Sequence, residues 1–296
     1  MTKHFSFILF FVFLSSGIFA QSYFYDSKYY DADILYEAGA SVGFMNGLTD
    51  VGGRKGSPLS PGYYDFKSLK LNYSGYVSIL YKGVVEGRIE FTKGAIAGND
   101  ANSNAQNVRT RNLNYKSKMT ELSLTAAVHP LILMNNETLP LFSPYVMAGV
   151  AAFTFNPQTL YKGEWIDLRS MNTEGQSTTQ YPAREPYKSL AVALPVGFGV
   201  KYEWNAKFNV RLEGLFRFTN TDYIDDASTT YPDLSVFSTD LQKSLSHRYK
   251  ELKPQLNYTN AERGNANNND SFFSVNLKVG YVIGREKIPI NYNPTK

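Results

Sequence analysis

The sequence predicts an all-β fold, an eight-stranded antiparallel transmembrane outer-membrane β-barrel with long extracellular loops and short periplasmic turns. Three observations predict it. Large apolar side chains alternate with charged or small ones at period two, as in residues 210–219, where Val210, Leu212, Phe216 and Phe218 share one face and Arg211, Glu213 and Arg217 share the other. The strand-like stretches run to about 10–15 residues, longer than most globular strands and suited to a tilted membrane-spanning one. Connections between them alternate between long and short, a sorting by parity that a soluble sandwich has no reason to show.

The elements follow in order. Lys3 and His4 precede an apolar run from Phe5 to Leu14, then small residues and Ala20, which is the pattern of a secretory signal peptide spanning residues 1–20. A Tyr-rich segment, 21–34, is expected to be a loose periplasmic N-terminal segment, followed by the barrel over 35–284 and a periplasmic tail over 285–296. Strands are expected near 35–44, 70–81, 84–94, 119–129, 142–155, 191–204, 207–221 and 273–284. Tyr36, Ala38, Ala40, Val42 and Phe44 share a face in the first, and Val192, Leu194, Val196, Phe198, Val200, Tyr202 and Trp204 do so in the sixth. Lys82-Gly83 and Asn205-Ala206 make tight turns. The intervening loops of about 25, 24, 35 and 51 residues, together with a turn of intermediate length at 130–141, complete the alternation.

In such a barrel the apolar face meets outer-membrane lipid and the charged face lines the interior. The expected interior network comprises Glu86, Arg88, Glu90, Glu121, Lys201, Glu203, Arg211, Glu213, Arg217 and Lys278, pairing across strands. Eight strands leave a lumen that side chains fill, so a plugged interior is expected rather than a wide pore.

Composition narrows the function classes. The 296 residues include 22 Tyr and 20 Phe, have a mean hydropathy of −0.31, and contain no apolar run after residue 20 long enough to cross a bilayer as a helix. Zero cysteines exclude disulfides, a lipid-anchored N-terminal Cys and thiolate chemistry. The net charge falls by one, from +4 to +3, when Lys3 leaves with the signal, too small an excess to argue for a nucleic-acid partner. No cofactor is expected. His129, at the outer end of the fourth strand, and His247, beside Ser244 and Ser246 in the last loop, are the only histidines left for catalysis, and a solvated loop histidine is the simpler reading. Asp222, Asp225 and Asp226 offer hard oxygens for Ca²⁺, but their spacing is not an EF-hand loop and capping or pairing within the loop is favoured. Leu241, Leu245, Tyr249 and Leu252 mark one face of a short amphipathic helix in that loop.

Five segments carry a resemblance to a known family: YEAGASVGFMNGLTD at 36–50, RNLNYKSKMTELSL at 111–124, PYVMAGVAAFTFNP at 144–157, TDYIDDASTTYPD at 221–233 and RGNANNNDSFFSVNLKVGYVIG at 263–284. Together they resemble the PorG-like outer-membrane barrels of the Bacteroidetes type IX secretion system. The resemblance implies a non-enzymatic accessory component of the cell outer membrane that contacts the periplasmic secretion-ring proteins. Tyr23, Phe24, Tyr25, Tyr29 and Tyr30 are then the expected aromatic contacts to that ring, since Tyr is favoured at interfaces. A surface or adhesion barrel acting through its long loops and a lipid-modifying barrel enzyme are the alternatives.

Overall fold

The computed structural model describes residues 29–53, 66–134 and 141–287; the expected signal peptide, Tyr23, Phe24, Tyr25 and the tail beyond residue 287 lie outside the described residues. Nine strands form one antiparallel sheet: β1 (Tyr29–Leu48), β2 (Lys70–Tyr81), β3 (Val85–Asn99), β4 (Asn114–Val128), β5 (Phe142–Tyr161), β6 (Glu164–Asp167), β7 (Leu190–Glu203), β8 (Phe208–Thr219) and β9 (Ser271–Lys287). The order β4-β3-β2-β1-β9-β8-β7-β5 is closed by a further β4–β5 pairing, so eight strands make a complete barrel with no free edge. The short β6 folds back on the end of β5 as a hairpin beyond the reach of β7.

Alternation in the sequence becomes inside and outside. Along β8, Arg211, Glu213, Leu215, Arg217 and Thr219 are buried, while Leu212 and Phe218 on the opposite face are more than half exposed. The same holds on β7, where Val192, Leu194, Val196, Phe198 and Val200 all point outward. In a soluble protein this exterior would be an apolar patch far beyond the usual size, and it needs a nonaqueous surrounding. Phe142 and Tyr202 pack with ring centroids 4.9 Å apart and planes tilted by 35°, and Phe208 and Tyr281 meet edge-on at 5.3 Å, placing aromatic pairs near the short-turn end of the wall.

The tight turns have local causes. Lys82 (φ 49°) and Gly83 (φ 71°) both have positive φ, as a two-residue hairpin of the primed type demands. At the β7–β8 turn, Asn205 Oδ1 accepts from the N–H groups of Lys207 (2.8 Å) and Phe208 (2.9 Å), a side chain replacing backbone turn partners. At the other end the strands run further than the sequence pattern indicates: β3 continues to Asn99, β4 starts at Asn114 and β5 reaches Tyr161. Extra ladder pairs such as Asn99–Asn114 and Lys116–Gln158 carry the wall beyond the apolar band, where polar side chains obscure the alternation. β1 and β9 are longer too. Their pairing breaks register between Asp31 and Tyr36, beside Gly284 at φ +107°, and resumes through Asp31–Arg285 to Tyr29–Lys287.

Candidate functional site

Two polar regions are candidates: the lumen and the cap that the long loops build over it. In the lumen, glycine makes the space. A Cβ on Gly39 or Gly280 would meet the Tyr76 ring within 2.7 Å, and one on Gly199 would meet Tyr145 within 2.5 Å, so both tyrosines lie flat across glycine-lined wall. Between these rings sit the guanidiniums of Arg88 and Arg211, 5.1 to 5.9 Å from the ring centroids.

All ten of the expected lumen residues are buried and face inward. Arg88 bonds Glu86 (2.9 Å) and Glu213 (2.6 Å), and Arg211 bonds Glu86 (2.7 Å). Lys278 reaches Glu90 (2.5 Å) and Glu213 (3.2 Å), Arg217 reaches Glu121 (3.0 Å), and Lys201 reaches Glu203 (2.9 Å). Glu37, Tyr76, Tyr145 and Arg285 are among the participants that escaped the sequence reading. Glu37 accepts from Arg211 (2.6 Å) and from the Tyr76 hydroxyl (2.5 Å), Tyr145 donates to Glu213 (2.8 Å), and Arg285 pairs with Glu203 (3.0 Å). Glu37 was readable, because it sits at the inward parity of β1 opposite Tyr36 and Ala38. Arg285 was not, because it lies past the register break. Above the polar layer the lumen turns apolar: Met45, Ile96, Tyr115, Met119, Phe153, Phe155 and Phe272 fill it and meet Ile224 of the last loop. The interior is plugged by side chains along its length.

His129 lies at the short-turn end of β4, not the outer end: its N–H bonds Val84 O of the β2–β3 turn at 2.8 Å. The strand enters from the long-loop side and leaves toward the short turns, so its final residue is at the opposite rim. His129 Nδ1 is 2.9 Å from Ser143 Oγ and Nε2 is 3.4 Å from Glu86 Oε2, an arrangement of hydroxyl, imidazole and carboxylate. All three are at most 1 % exposed and Glu86 is already held by two arginines, so a substrate has no approach to the hydroxyl. His247 has no serine partner in Ser246, whose hydroxyl donates to Thr173 O. Its ring instead packs against Tyr231, Tyr249 and Phe237, and burial pushes the imidazole down to about 4, leaving it neutral. The loop helix, Asp240–Ser246, is capped by a reciprocal Thr239–Gln242 box and ends at His247, so only Leu245 and Tyr249 of the expected stripe are buried.

The cap is an assembly of carboxylates serving the loop backbone. Asp100 accepts from Gly52 N, Leu113 N and Arg111 (2.8–2.9 Å). Glu174 accepts from Ser228 N, Thr229 N, the Thr229 hydroxyl and Arg263. Asp225 takes Val51 N (2.8 Å) and Ala227 N (2.9 Å), and Asp270 takes Ile224 N (2.9 Å). Asp226 receives the hydroxyls of Thr173 (2.5 Å) and Tyr187 (2.7 Å). Asp222 is buried, and neither carboxylate oxygen has a hydrogen-bond partner among the described residues; Ser228 moderates its charge without closing a bond of ordinary geometry. Burial, reinforced by neighbouring carboxylates, raises Asp222 to about 8 and Asp225 to about 7; burial raises Asp226 to about 6 despite Arg263, and Asp270 lies well above the usual range. Among the described residues no group of three or more His, Cys, Asp or Glu side chains has the placement to hold a metal ion. Asp225, Asp226 and Asp270 thus tie the loops through backbone N–H groups and hydroxyls.

Comparison with known proteins follows from this geometry. Similar solved structures include the N-terminal β-barrel domain of Pseudomonas aeruginosa OprF (10 % identity, 86 % of this chain and 100 % of that one, TM-score 0.35). A major outer membrane protein from Thermus thermophilus shares 10 % identity over 85 % of this chain and 100 % of that one, with a TM-score of 0.38. Yersinia pestis Ail, solved with the heparin analogue sucrose octasulfate, shares 9 % over 84 % and 99 %, with a TM-score of 0.37. No curated protein matches the chain. The family described as domain of unknown function DUF6089 matches residues 22–289, a span that contains every strand of the barrel, and the chain belongs to that family.

Proposed function

We propose that this protein is a closed, non-enzymatic barrel of the outer membrane that serves as an accessory component of the type IX protein secretion machinery, contacting its periplasmic ring. The observation that carries the membrane reading is the wall: ion-paired charges inside, and an outward belt of Leu, Val, Ile and Phe bounded by aromatic rings. The filled lumen supports anchoring and contact rather than conduction. The secretion role is supported by the resemblance carried at 36–50, 111–124, 144–157, 221–233 and 263–284. In this reading the short-turn end, where β1 starts and β9 ends, faces the periplasm.

The test is an affinity pull-down from detergent-solubilised outer membranes, with the tag in the exposed β5–β6 turn at Lys162-Gly163. Enrichment of secretion-ring subunits is expected, and its loss on deleting residues 22–28, which leaves β1 whole, would assign Tyr23, Phe24 and Tyr25 to the contact. Recovery of the barrel alone would sink the secretion role and leave the loop-mediated surface barrel. The enzyme alternative is favoured only by the Ser143–His129–Glu86 contact, and its burial argues against it.

A further inference from the structure

The outward face of β3 and β4 runs from apolar side chains into lysines toward the long-loop end. On β3 Lys93 follows Ile89 and Phe91, and on β4 Lys118 and Lys116 lie beyond Leu124 and Leu122. Lys93 pairs with Thr120 and Ala95 with Lys118, so Lys93 and Lys118 are diagonal neighbours across the ladder. Ten residue steps separate Lys118 from Val128, the end of β4 at the short turns; at about 3.3 Å per step and a tilt near 40° this is about 25 Å of height, the thickness of an outer-membrane barrel's apolar band. The lysines stand where hydrocarbon gives way to headgroups.

Their charge is open. In the lumen Arg88, Arg211 and Lys278 are each held by carboxylates, whereas among the described residues none of Lys93, Lys116 and Lys118 is in an ion pair. Lys93 and Lys118 are exposed, and Lys116 Nζ lies 3.9 Å from the centroid of the half-exposed Trp165 ring on β6, an aromatic suited to a membrane interface. Asp167, on the same face of the β5–β6 hairpin, accepts from Asn156 (3.0 Å) and Gln158 (2.6 Å), and Glu164 lies on the other face. Lys188, exposed just ahead of β7, continues the same side of the wall. Near the long-loop ends of β1, β2 and β8 the outward positions carry Phe44, Leu71 and Phe218 instead. The cations are thus gathered on one side.

Like charges this close repel unless an anion lies among them. A soluble anion would have no use for the apolar strip that continues directly below them on the same two strands. A phosphorylated lipid uses both. We infer that Lys93, Lys116 and Lys118 dock the phosphate groups of an anionic lipid of the outer leaflet, with its acyl chains along Phe91, Leu122 and Leu124. The inference rests on the membrane placement and orientation proposed above, and it is separate from the secretion contact at the opposite rim.

The experiment mixes the full barrel in detergent micelles with bis-phosphorylated lipid A, or with the same lipid after phosphatase treatment, and reads bound lipid by native mass spectrometry. The phosphorylated lipid is expected to bind at least about tenfold more tightly. Changing Lys93→Gln, Lys116→Gln and Lys118→Gln together should remove that preference with heat-modifiable migration intact, while Lys207→Gln at the short turns leaves it unchanged. Equal affinity for the two lipids overturns the inference, as does a triple variant that keeps the preference, or displacement of the lipid by an equal concentration of inorganic phosphate. Because the chain has no cysteine, Glu185→Cys tests the orientation on intact cells with a membrane-impermeant maleimide. Labelling is expected; its absence would overturn the orientation and the inference with it, whereas labelling without lipid preference would overturn the inference alone.

Discussion

The lumen and the cap both bury charge, and they do so by opposite means. In the lumen Glu37, Glu86, Glu90, Glu121, Glu203 and Glu213 are matched by Arg88, Lys201, Arg211, Arg217, Lys278 and Arg285, acid for base. In the cap Asp50, Asp100, Glu174, Asp225, Asp226 and Asp270 have two arginine partners, Arg111 and Arg263, and otherwise lean on backbone N–H groups and hydroxyls, while Asp222 has no hydrogen-bond partner among the described residues. Strand backbones direct their hydrogen bonds to each other, so a charge between them needs an opposite side chain. Loop backbones leave N–H groups open, so a carboxylate can be held by several of them. The barrel wall is locked by ion pairs, while the cap holds Asp222, Asp225, Asp226 and Asp270 in surroundings whose burial favours the protonated acid.

The largest effect is expected from Arg211→Met, which leaves Glu37 and Glu86 without their shared cation and should cost roughly 3–5 kcal/mol. The midpoint of urea unfolding in micelles, read by the heat-modifiable band, checks it, and a midpoint within error of the parent would show the network to be dispensable. A smaller and more local effect is expected from Glu174→Gln, which sets an amide NH₂ against Ser228 N, Thr229 N and Arg263. About 2 kcal/mol of local stability should be lost, seen as faster hydrogen exchange over 226–231 with the strands unchanged.

The cap should respond to pH between about 4 and 8. Asp226, Asp225 and Asp222 lie at about 6, 7 and 8, against about 4 for an unfolded aspartate. The folded cap therefore holds protons that the opened cap releases, and its stability falls as pH rises from about 4 to 8, then levels off. Protease nicking within 221–270 should be slower at pH 5.5 than at pH 9, and Asp222→Asn, which removes a charge that makes no hydrogen bond, should flatten that profile. Nicking that speeds up toward acid would refute the assignment. The smallest effect sharpens the boundary between the regions: a fluorophosphonate probe should not label Ser143, because its hydroxyl is sealed with His129 inside the wall.

The wall was legible and the cap was not, for a physical reason. Inward parity on β8 alone places Arg211, Glu213 and Arg217 in one lumen, and period-two alternation is a local property that needs no knowledge of neighbours. Which partner each charge takes depends on register, and Arg88 with Glu213 or Arg211 with Glu37 are joined across strands far apart in sequence. The cap lacks even a period. Asp225 was visible as one of a cluster, but its purpose is Val51 N, 174 residues away, and nothing local to either residue announces the other. Likewise Tyr231 reads as one more loop tyrosine until Ala261 and Arg263 are folded beside it.

The seam between β1 and β9 has a consequence for how the molecule comes to exist. The first strand is hydrogen-bonded to the last, from Tyr29–Lys287 to Leu48–Ser271. A growing chain cannot complete that pairing until its final strand has been made, so the ring stays open, with two unsatisfied edges, through all earlier synthesis. Contacts of such long sequence separation are slow to form. Between synthesis and closure the chain must be kept from pairing its edges with other strands, and β9 acts as the stitch that ends the need for that protection.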